Sequence, residues 1–179
     1  MAKNVLIIST SFRNNSNSEI MAKEVEKAAK DAGHNVEFVT LKDKNIQFCK
    51  GCLACQKLGH CVINDDANEI TEKIKNADVV VWATPVYYYE MSGQMKTMID
   101  RANPLFASDY KFKEVYLITA SADTGEEAVK RVINGVQGWI DCFSGVKFSG
   151  YACATVNEPD EVNSQPKSLQ DAYNLGKNI

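Results

Sequence analysis

The sequence of 179 residues lacks the features that mark several protein classes. Basic residues are not in excess, because 20 lysines and arginines stand against 23 acidic residues and give a formal net charge of -3. Nucleic acid and anionic membranes are therefore poor candidates as partners. No apolar run is long enough to span a bilayer, and the first residues carry no signal-peptide pattern. These absences predict a cytoplasmic protein that folds as a single domain over residues 1–179.

Two nucleotide-binding motifs are also missing, and histidine is scarce. Neither GxxxxGK[ST] nor GxGxxG occurs in the chain, which argues against a nucleoside triphosphate or a tightly bound dinucleotide. The two histidines, His34 and His60, are expected to be solvated loop residues rather than catalysts.

Cysteine, in contrast, is concentrated in one short segment. Cys49, Cys52, Cys55 and Cys61 form a CX2CX2CX5C run. Thiolates at this spacing suit an iron–sulfur cluster held from one loop. Zinc, a redox-sensing disulfide and plain reduced thiols are the alternatives, although zinc usually takes two separated cysteine pairs. The run lies in the long irregular connection of residues 42–64, and long loops in compact domains are usually functional.

Short β-branched or aromatic runs alternate with helical patterns along the chain. The runs lie at residues 5–8, 36–39, 79–82, 115–118 and 146–156. Their alternation with helices predicts an α/β domain with a five-stranded parallel sheet between two helical layers. For a small doubly wound sheet the expected strand order is 2-1-3-4-5, with ligands bound beyond the carboxyl ends of the first and third strands.

Helix starts are marked by polar residues ahead of apolar periodicity. The first helix is predicted to begin at Ser16, where Ser16 and Glu19 match an S-x-x-E capping box. Further helices are predicted from Asp66, around Met91 to Ala102, from Thr124, and from Pro166.

Three loops at the predicted carboxyl edge of the sheet carry polar, aromatic or small residues. The loop at 9–18 offers hydroxyls, a guanidinium and a helix start, which together suit a phosphate monoester. The loop at 84–90 offers a proline and three tyrosines, whose flat faces suit a planar ring. At least one of these tyrosines is expected instead in a surface patch or dimer contact. The small residues at 119–125 would let a ring approach.

These motifs together resemble a known family. The segments at 11–18, 49–55 with Cys61 and Asp65-Asp66, 85–87 and 91–101 resemble the flavodoxin-fold NAD(P)H-dependent FMN reductases. Within that group, the cysteine run resembles the iron–sulfur flavoproteins. The resemblance covers residues 1 to about 125 and fades afterwards. It implies a flavodoxin-like three-layer sandwich with bound FMN.

The resemblance also implies which residues contact the cofactors. The FMN phosphate would lie on Ser9, Ser11, Arg13, Ser16, Asn17 and Ser18. The isoalloxazine ring would lie against Thr84, Pro85, Val86, Tyr87 and Tyr88, with Ala120, Ser121 and Ala122 near its other side. The matching positions for a 4Fe-4S cluster are Cys49, Cys52, Cys55 and Cys61.

The activity implied by the resemblance is electron transfer from NAD(P)H through FMN to a small-molecule, flavin, quinone or protein acceptor. No catalytic acid or base is expected among the side chains, because the flavin supplies the chemistry. The alternative is an iron–sulfur flavoprotein that acts as an electron carrier or redox sensor without pyridine-nucleotide turnover. A zinc-stabilised interaction domain is a more remote alternative. The tyrosine run suggests a homodimer or homotetramer.

Overall fold

The computed structural model describes residues 1–125 and 127–179, and a parallel sheet forms its centre. Its five parallel strands run in the spatial order β2-β1-β3-β5-β6, and the short strand β4 pairs antiparallel with the end of β3. The predicted order 2-1-3-4-5 is therefore confirmed, whereas β4 was not predicted. The strands are β1 (Asn4–Ser9), β2 (Asn35–Thr40), β3 (Val79–Tyr87), β4 (Glu90–Met91), β5 (Glu114–Ser121) and β6 (Lys147–Thr155).

Helices cover both faces of the sheet. They are α1 (Asn17–Asp31), α2 (Cys55–Leu58), α3 (Asp66–Asn76), α4 (Gly93–Arg101), α5 (Glu127–Ile140) and α6 (Pro166–Lys177), with two short 3-10 helices at Asn103–Ala107 and Glu161–Ser164. One core cluster joins the sheet to α3, α4 and α5, and a second joins it to α1 and α6. The predicted three-layer arrangement is confirmed.

Alternating side chains of the central strands divide between the two cores. In β1, Val5 and Ile7 pack toward α1 and α6, whereas Leu6 and Ile8 pack toward the opposite layer. All four side chains are buried, and full burial of side chains of this size stabilises by roughly 1.5–3 kcal/mol each. A strand buried on both faces explains why β1 reads as a continuous apolar run.

The start of α1 differs from the prediction. Ser16 occupies the N-cap position, but its side chain makes no capping hydrogen bond, and its Oγ lies 3.1 Å from the Oγ of Ser18. Glu19 accepts a hydrogen bond from Ser9 Oγ at 2.9 Å instead of reaching the N-cap. The predicted capping box is therefore wrong. As a result, the first amide groups of α1 have no side-chain cap where the helix leaves the end of β1.

The lengths and apolar content of the helices bear on whether any of them could cross a membrane. In the part of the chain that the structure describes, no helix is long and apolar enough to cross a bilayer.

Candidate functional site

A cavity of about 250 Å³ lies at the carboxyl edge of the sheet, among the loops that follow β1, β3 and β5. We refer to it as the carboxyl-edge cavity. Eleven of the fourteen residues predicted for FMN line it: Ser11, Arg13, Ser16, Asn17, Ser18, Pro85, Val86, Tyr87, Tyr88, Ala120 and Ala122. Val156 and Asn157, which were not predicted, complete its lining.

Three residues predicted for FMN do not line this cavity: Ser9, Thr84 and Ser121. Their hydroxyls make hydrogen bonds to neighbouring parts of the chain. Ser9 Oγ donates to Glu19. Thr84 Oγ1 accepts from the backbone N–H of Ser92 at 3.0 Å and donates to the carbonyl of Pro85 at 2.9 Å. Ser121 Oγ accepts from the backbone N–H of Asp123 at 3.2 Å. These side chains hold the loops that surround the cavity.

The electrostatics of the carboxyl-edge cavity favour an anion. The hydroxyl-bearing residues Ser11, Ser16 and Ser18 are buried, and α1 directs its positive dipole end and uncapped N–H groups toward this region. Arg13 Nη1 donates to the carbonyl of Asn157 at 2.8 Å, which holds the guanidinium at the cavity. No carboxylate is among the described lining residues. A phosphate group is the anion that such a helix start commonly binds.

The segment after β6 contributes to the cavity in a way that the sequence analysis missed. Asn17 Nδ2 donates to the carbonyl of Glu158 at 2.7 Å, and Asn17 Oδ1 accepts from the backbone N–H of Val162 at 3.0 Å. Asn17 therefore braces this segment with both ends of its amide. The contacts join residues about 140 positions apart in the chain, so no local pattern reveals them. The usable signal was that residues 156–162 follow a parallel strand at the same sheet edge.

Glu161 holds the turn of the same segment. Its carboxylate accepts from the backbone N–H groups of Asn157 and Glu158, at 2.7 and 2.9 Å. These two hydrogen bonds keep the pKa of Glu161 below its ordinary value.

A second groove, of about 590 Å³, adjoins the carboxyl-edge cavity at Tyr87. We call it the Tyr87 groove. Its volume lies within the range of about 300–1,000 Å³ that is usual for small-molecule sites. Its walls are largely apolar and aromatic: Phe12, Leu41, Ile46, Phe48 and Tyr87, with Lys44, Asn45, Gly93, Gln94 and Thr97.

The four clustered cysteines line a third cavity, of about 440 Å³, which we call the cysteine cavity. Cys55 is buried at the start of α2, Cys61 is half-buried, and Cys49 and Cys52 are exposed. All four are free thiols. Within residues 1–125 and 127–179, no three His, Cys, Asp or Glu side chains are placed to hold a metal ion. The fold thus brings the predicted cysteines to one cavity without assembling a metal site.

A buried ion pair fixes the two ends of the cysteine loop. Arg101 Nη1 and Nη2 donate to the carboxylate oxygens of Asp65 at 2.6 and 2.8 Å, and both side chains are fully buried. The same nitrogens donate to the carbonyls of Gln47 and Ile63, which flank the cysteine run. Burial acts to raise the pKa of Asp65, but hydrogen bonds from Arg101 and from backbone N–H groups outweigh it and lower that pKa.

Two asparagines make further contacts with the cysteines. Asn68 Oδ1 accepts from the backbone N–H of Cys61, and Asn68 Nδ2 donates to the carbonyls of Cys61 and Ile63. Asn103 Nδ2 donates to Cys55 Sγ at 3.0 Å. Neither asparagine was predicted as a functional residue. In the sequence they lie outside the cysteine run, and only the packing of α3 and of the Asn103–Ala107 helix brings them to it.

Known proteins match this chain in sequence. The family model described as NADPH-dependent FMN reductase matches residues 3–145. An iron–sulfur flavoprotein of Methanocaldococcus jannaschii is 31% identical over 98% of this chain and 94% of its own.

Solved structures share the fold. An NAD(P)H:quinone oxidoreductase from Methanothermobacter marburgensis has a TM-score of 0.77 at 16% identity, covering 99% of this chain and 96% of that one. A flavodoxin from the domain Archaea has a TM-score of 0.62 at 14% identity, covering 98% and 95%. At these identities the two structures show the fold alone, and they confirm the predicted flavodoxin-like architecture.

Proposed function

We propose that this chain, which belongs to the NADPH-dependent FMN reductase family, passes electrons from NAD(P)H to a small-molecule, flavin, quinone or redox-protein acceptor. Membership of this family makes it an FMN-dependent oxidoreductase. The identity of the reductant and of the acceptor is the part that we propose. The observation that carries the proposal is the carboxyl-edge cavity, which lies where the strand order reverses and beside an uncapped helix start.

The carboxyl-edge cavity fits the phosphate end of FMN. An uncapped helix start, three buried hydroxyl-bearing residues and a guanidinium supply hydrogen-bond donors around one point of the sheet edge. We assign the phosphate to Ser11, Arg13, Ser16 and Ser18. Asn17 acts differently, since both ends of its amide brace residues 158–162.

The loops after β3 and β5 are proposed to hold the flavin ring. Pro85, Val86, Tyr87 and Tyr88 line one part of the cavity, and Ala120 with Ala122 line another. When bound, FMN supplies two-electron exchange with a nicotinamide and one- or two-electron exchange with an acceptor. The protein's share is to bind and orient, because no histidine or carboxylate is among the described residues that line this cavity.

The Tyr87 groove is the proposed approach for the reducing nucleotide or the acceptor. It adjoins the carboxyl-edge cavity, and its apolar walls would exclude water from a planar ring that enters. Lys44 lines the same groove, but its Nζ lies 4.0 Å from Asp66 Oδ1 and is paired with that carboxylate.

The test is to mix FMN-loaded protein with NADH or NADPH in the absence of oxygen and follow the flavin absorbance. We expect the visible flavin band to bleach within seconds to minutes, about the timescale of ordinary enzyme turnover. Bound FMN that neither nucleotide reduces would contradict the reductase and favour an electron carrier or redox sensor.

The second candidate, an iron–sulfur flavoprotein, is favoured by the cysteine cavity. Cys49, Cys52, Cys55 and Cys61 all line it, which is the ligand number that a 4Fe-4S cluster takes. The donor set fits such a cluster in kind, because four cysteine sulfurs line one cavity, although no three of them among the described residues are placed to hold a metal ion. A bound cluster would supply one-electron exchange, and the four thiols would hold it.

An absorption spectrum of protein purified without oxygen, with iron, sulfide and zinc analysis, tests this second candidate. A broad visible shoulder in addition to the flavin bands, with iron and sulfide, supports the cluster. Zinc without iron would favour the zinc-stabilised domain, and flavin bands alone would leave a reductase with free thiols.

We further propose a cytoplasmic homodimer or homotetramer. The supporting observation is the exposure of large apolar and aromatic side chains, with Phe48 at the Tyr87 groove 80% exposed and Tyr88 at the carboxyl-edge cavity 97% exposed. Light scattering that finds a monomer both with and without FMN would contradict the assembly.

A further inference from the structure

Two side-chain nitrogen donors, Asn103 Nδ2 and Arg101 Nε, belong to residues that line the cysteine cavity. Asn103 Nδ2 lies 3.0 Å from Cys55 Sγ. Arg101 Nε is buried and has no hydrogen-bond partner among the described residues, although both terminal nitrogens of its guanidinium are paired. Arg101 and Asn103 both line the cavity that contains the four cysteines.

The unpaired Arg101 Nε calls for an acceptor. A buried donor without a partner is costly, so native structures usually satisfy such groups. The ion pair with Asp65 does not need Nε, because Nη1 and Nη2 make both of its hydrogen bonds. Thiolate and sulfide sulfurs in the cysteine cavity are acceptors of the required kind, and their negative charge would suit a guanidinium.

We propose that Asn103, with Arg101 Nε as a second donor, raises the reduction potential of an iron–sulfur cluster in the cysteine cavity. This inference rests on the cluster of the proposed function. One-electron reduction adds negative charge that is shared by the sulfurs, so N–H donors to those sulfurs stabilise the reduced state more than the oxidised state. Asn103 and Arg101 are positioning residues here, since they act through the sulfur ligands.

Residues that would tune the reduction potential of the cluster can be told apart from residues that only hold the cysteine loop in place. Asn68 holds the cysteine loop through backbone groups of Cys61 and Ile63, and so has a structural role. Asn103 instead contacts a sulfur directly. The backbone N–H of Gly51 also points to a sulfur, that of Cys49 at 3.4 Å, but it is unaffected by side-chain substitution.

The experiment compares midpoint potentials of the cluster after anaerobic reconstitution with ferrous iron and sulfide. The variants are Asn103→Leu, which removes the donor at similar size, and Asn103→Asp, which also adds a negative charge. Asn103→Gln restores an amide donor, and Asn76→Leu makes the same change at an asparagine that donates to the Glu72 carbonyl of its own helix. Iron content, the visible spectrum and an EPR-monitored redox titration are measured for each protein.

We expect Asn103→Leu to bind a full complement of iron and to titrate at a more negative potential than the parent protein. Asn103→Asp should lie lower still, Asn103→Gln should recover part of the shift, and Asn76→Leu should match the parent. If Asn103→Leu fails to retain the cluster, Asn103→Ala, which removes the donor without adding bulk or charge, decides the matter. Arg101→Lys, which keeps a cation for Asp65 but loses Nε–H, should also titrate lower.

Two results would overturn the inference, and they are distinguishable. Parent protein that takes up no iron would remove the cluster and the inference together, while leaving FMN binding and NAD(P)H oxidation to be judged by the flavin itself. Parent protein and Asn103 variants that hold equal iron at equal potentials would remove the inference alone.

Discussion

At the scale of one residue, Arg13 tests whether the carboxyl-edge cavity binds the phosphate of FMN. Arg13→Gln removes a charged donor from the cavity. Hydrogen bonds to charged groups contribute about 1.5–3 kcal/mol, so the Kd for FMN should rise roughly 10-fold to 150-fold. Fluorescence titration of the apoprotein with FMN measures the change.

Riboflavin, which lacks the phosphate, is the matched ligand control for Arg13→Gln, and its affinity should hardly change. Arg131→Gln is the control variant, because Arg131 does not line the cavity. Equal losses of FMN and riboflavin affinity would show that Arg13 supports the loop rather than the phosphate.

Asp65 gives a second test at this scale, directed at stability. Asp65→Asn leaves the buried guanidinium of Arg101 without its counter-charge, and breaking such a pair costs about 3–5 kcal/mol. Urea unfolding at neutral pH should show a loss of this size. Glu69→Gln is the control, because the Glu69–Lys73 pair is exposed on the side of Glu69 and should contribute less than about 1 kcal/mol.

The same ion pair predicts an acid dependence with a definite sign. The pKa of Asp65 is lowered in the folded state, so its contribution to stability is complete above the unfolded pKa of about 3.9. That contribution is lost as pH falls through the lower folded pKa. The difference in free energy of unfolding between the parent protein and Asp65→Asn should therefore become smaller at acid pH than at neutral pH. A difference that grows as the pH falls would contradict the assignment.

Side-chain direction sets the limit of residue-level prediction. Eleven of the residues predicted to contact FMN line one cavity. It could not show that Ser9 and Thr84 turn their hydroxyls to other partners, because Glu19 and Ser92 compete for them. Such competition depends on the packed structure.

The β3–β4 hairpin is the element in which local sequence and structure disagree most. Tyr88 and Tyr89 form its two-residue loop, and both have positive φ angles, of 51° and 65°. Loops of this kind favour Asn-Gly, and bulky residues are rare there. From sequence these tyrosines were predicted to lie in a ring-binding loop at residues 84–90, and β4 was not predicted. Backbone strain of this kind often accompanies a functional site, and Tyr88 lines the carboxyl-edge cavity.

Substitution of the hairpin loop tests this strain. Tyr88→Gly places a glycine at a positive φ angle and removes a side chain that is 97% exposed. The free energy of unfolding should rise by about 1 kcal/mol, as measured by urea unfolding. Tyr87→Gly, in the last position of β3, should lower it instead. A lower stability for Tyr88→Gly would show that the tyrosine makes contacts that outweigh the strain.

At the scale of the whole molecule, topology was the most predictable property. Apolar strands alternating with amphipathic helices restrict a chain of this length to few arrangements, and the strand order was confirmed. The contribution of Val156 and Asn157 to the cavity was not predicted, because Arg13 and Asn17 reach the segment after β6 across about 140 residues of sequence. For the cysteine cavity, the sequence singled out the four cysteines as a group. Their neighbours on α3, α4 and the Asn103–Ala107 helix were not predicted.

The central claim is that the start of α1 binds the phosphate of FMN, and one binding measurement tests it most directly. Flavin-free protein is titrated with FMN and, separately, with riboflavin by isothermal calorimetry. We expect one FMN per chain, bound at least about 10-fold more tightly than riboflavin, because a single hydrogen bond to a charged group contributes an affinity difference of this size. Protein that binds neither ligand, or binds both equally well, would contradict it.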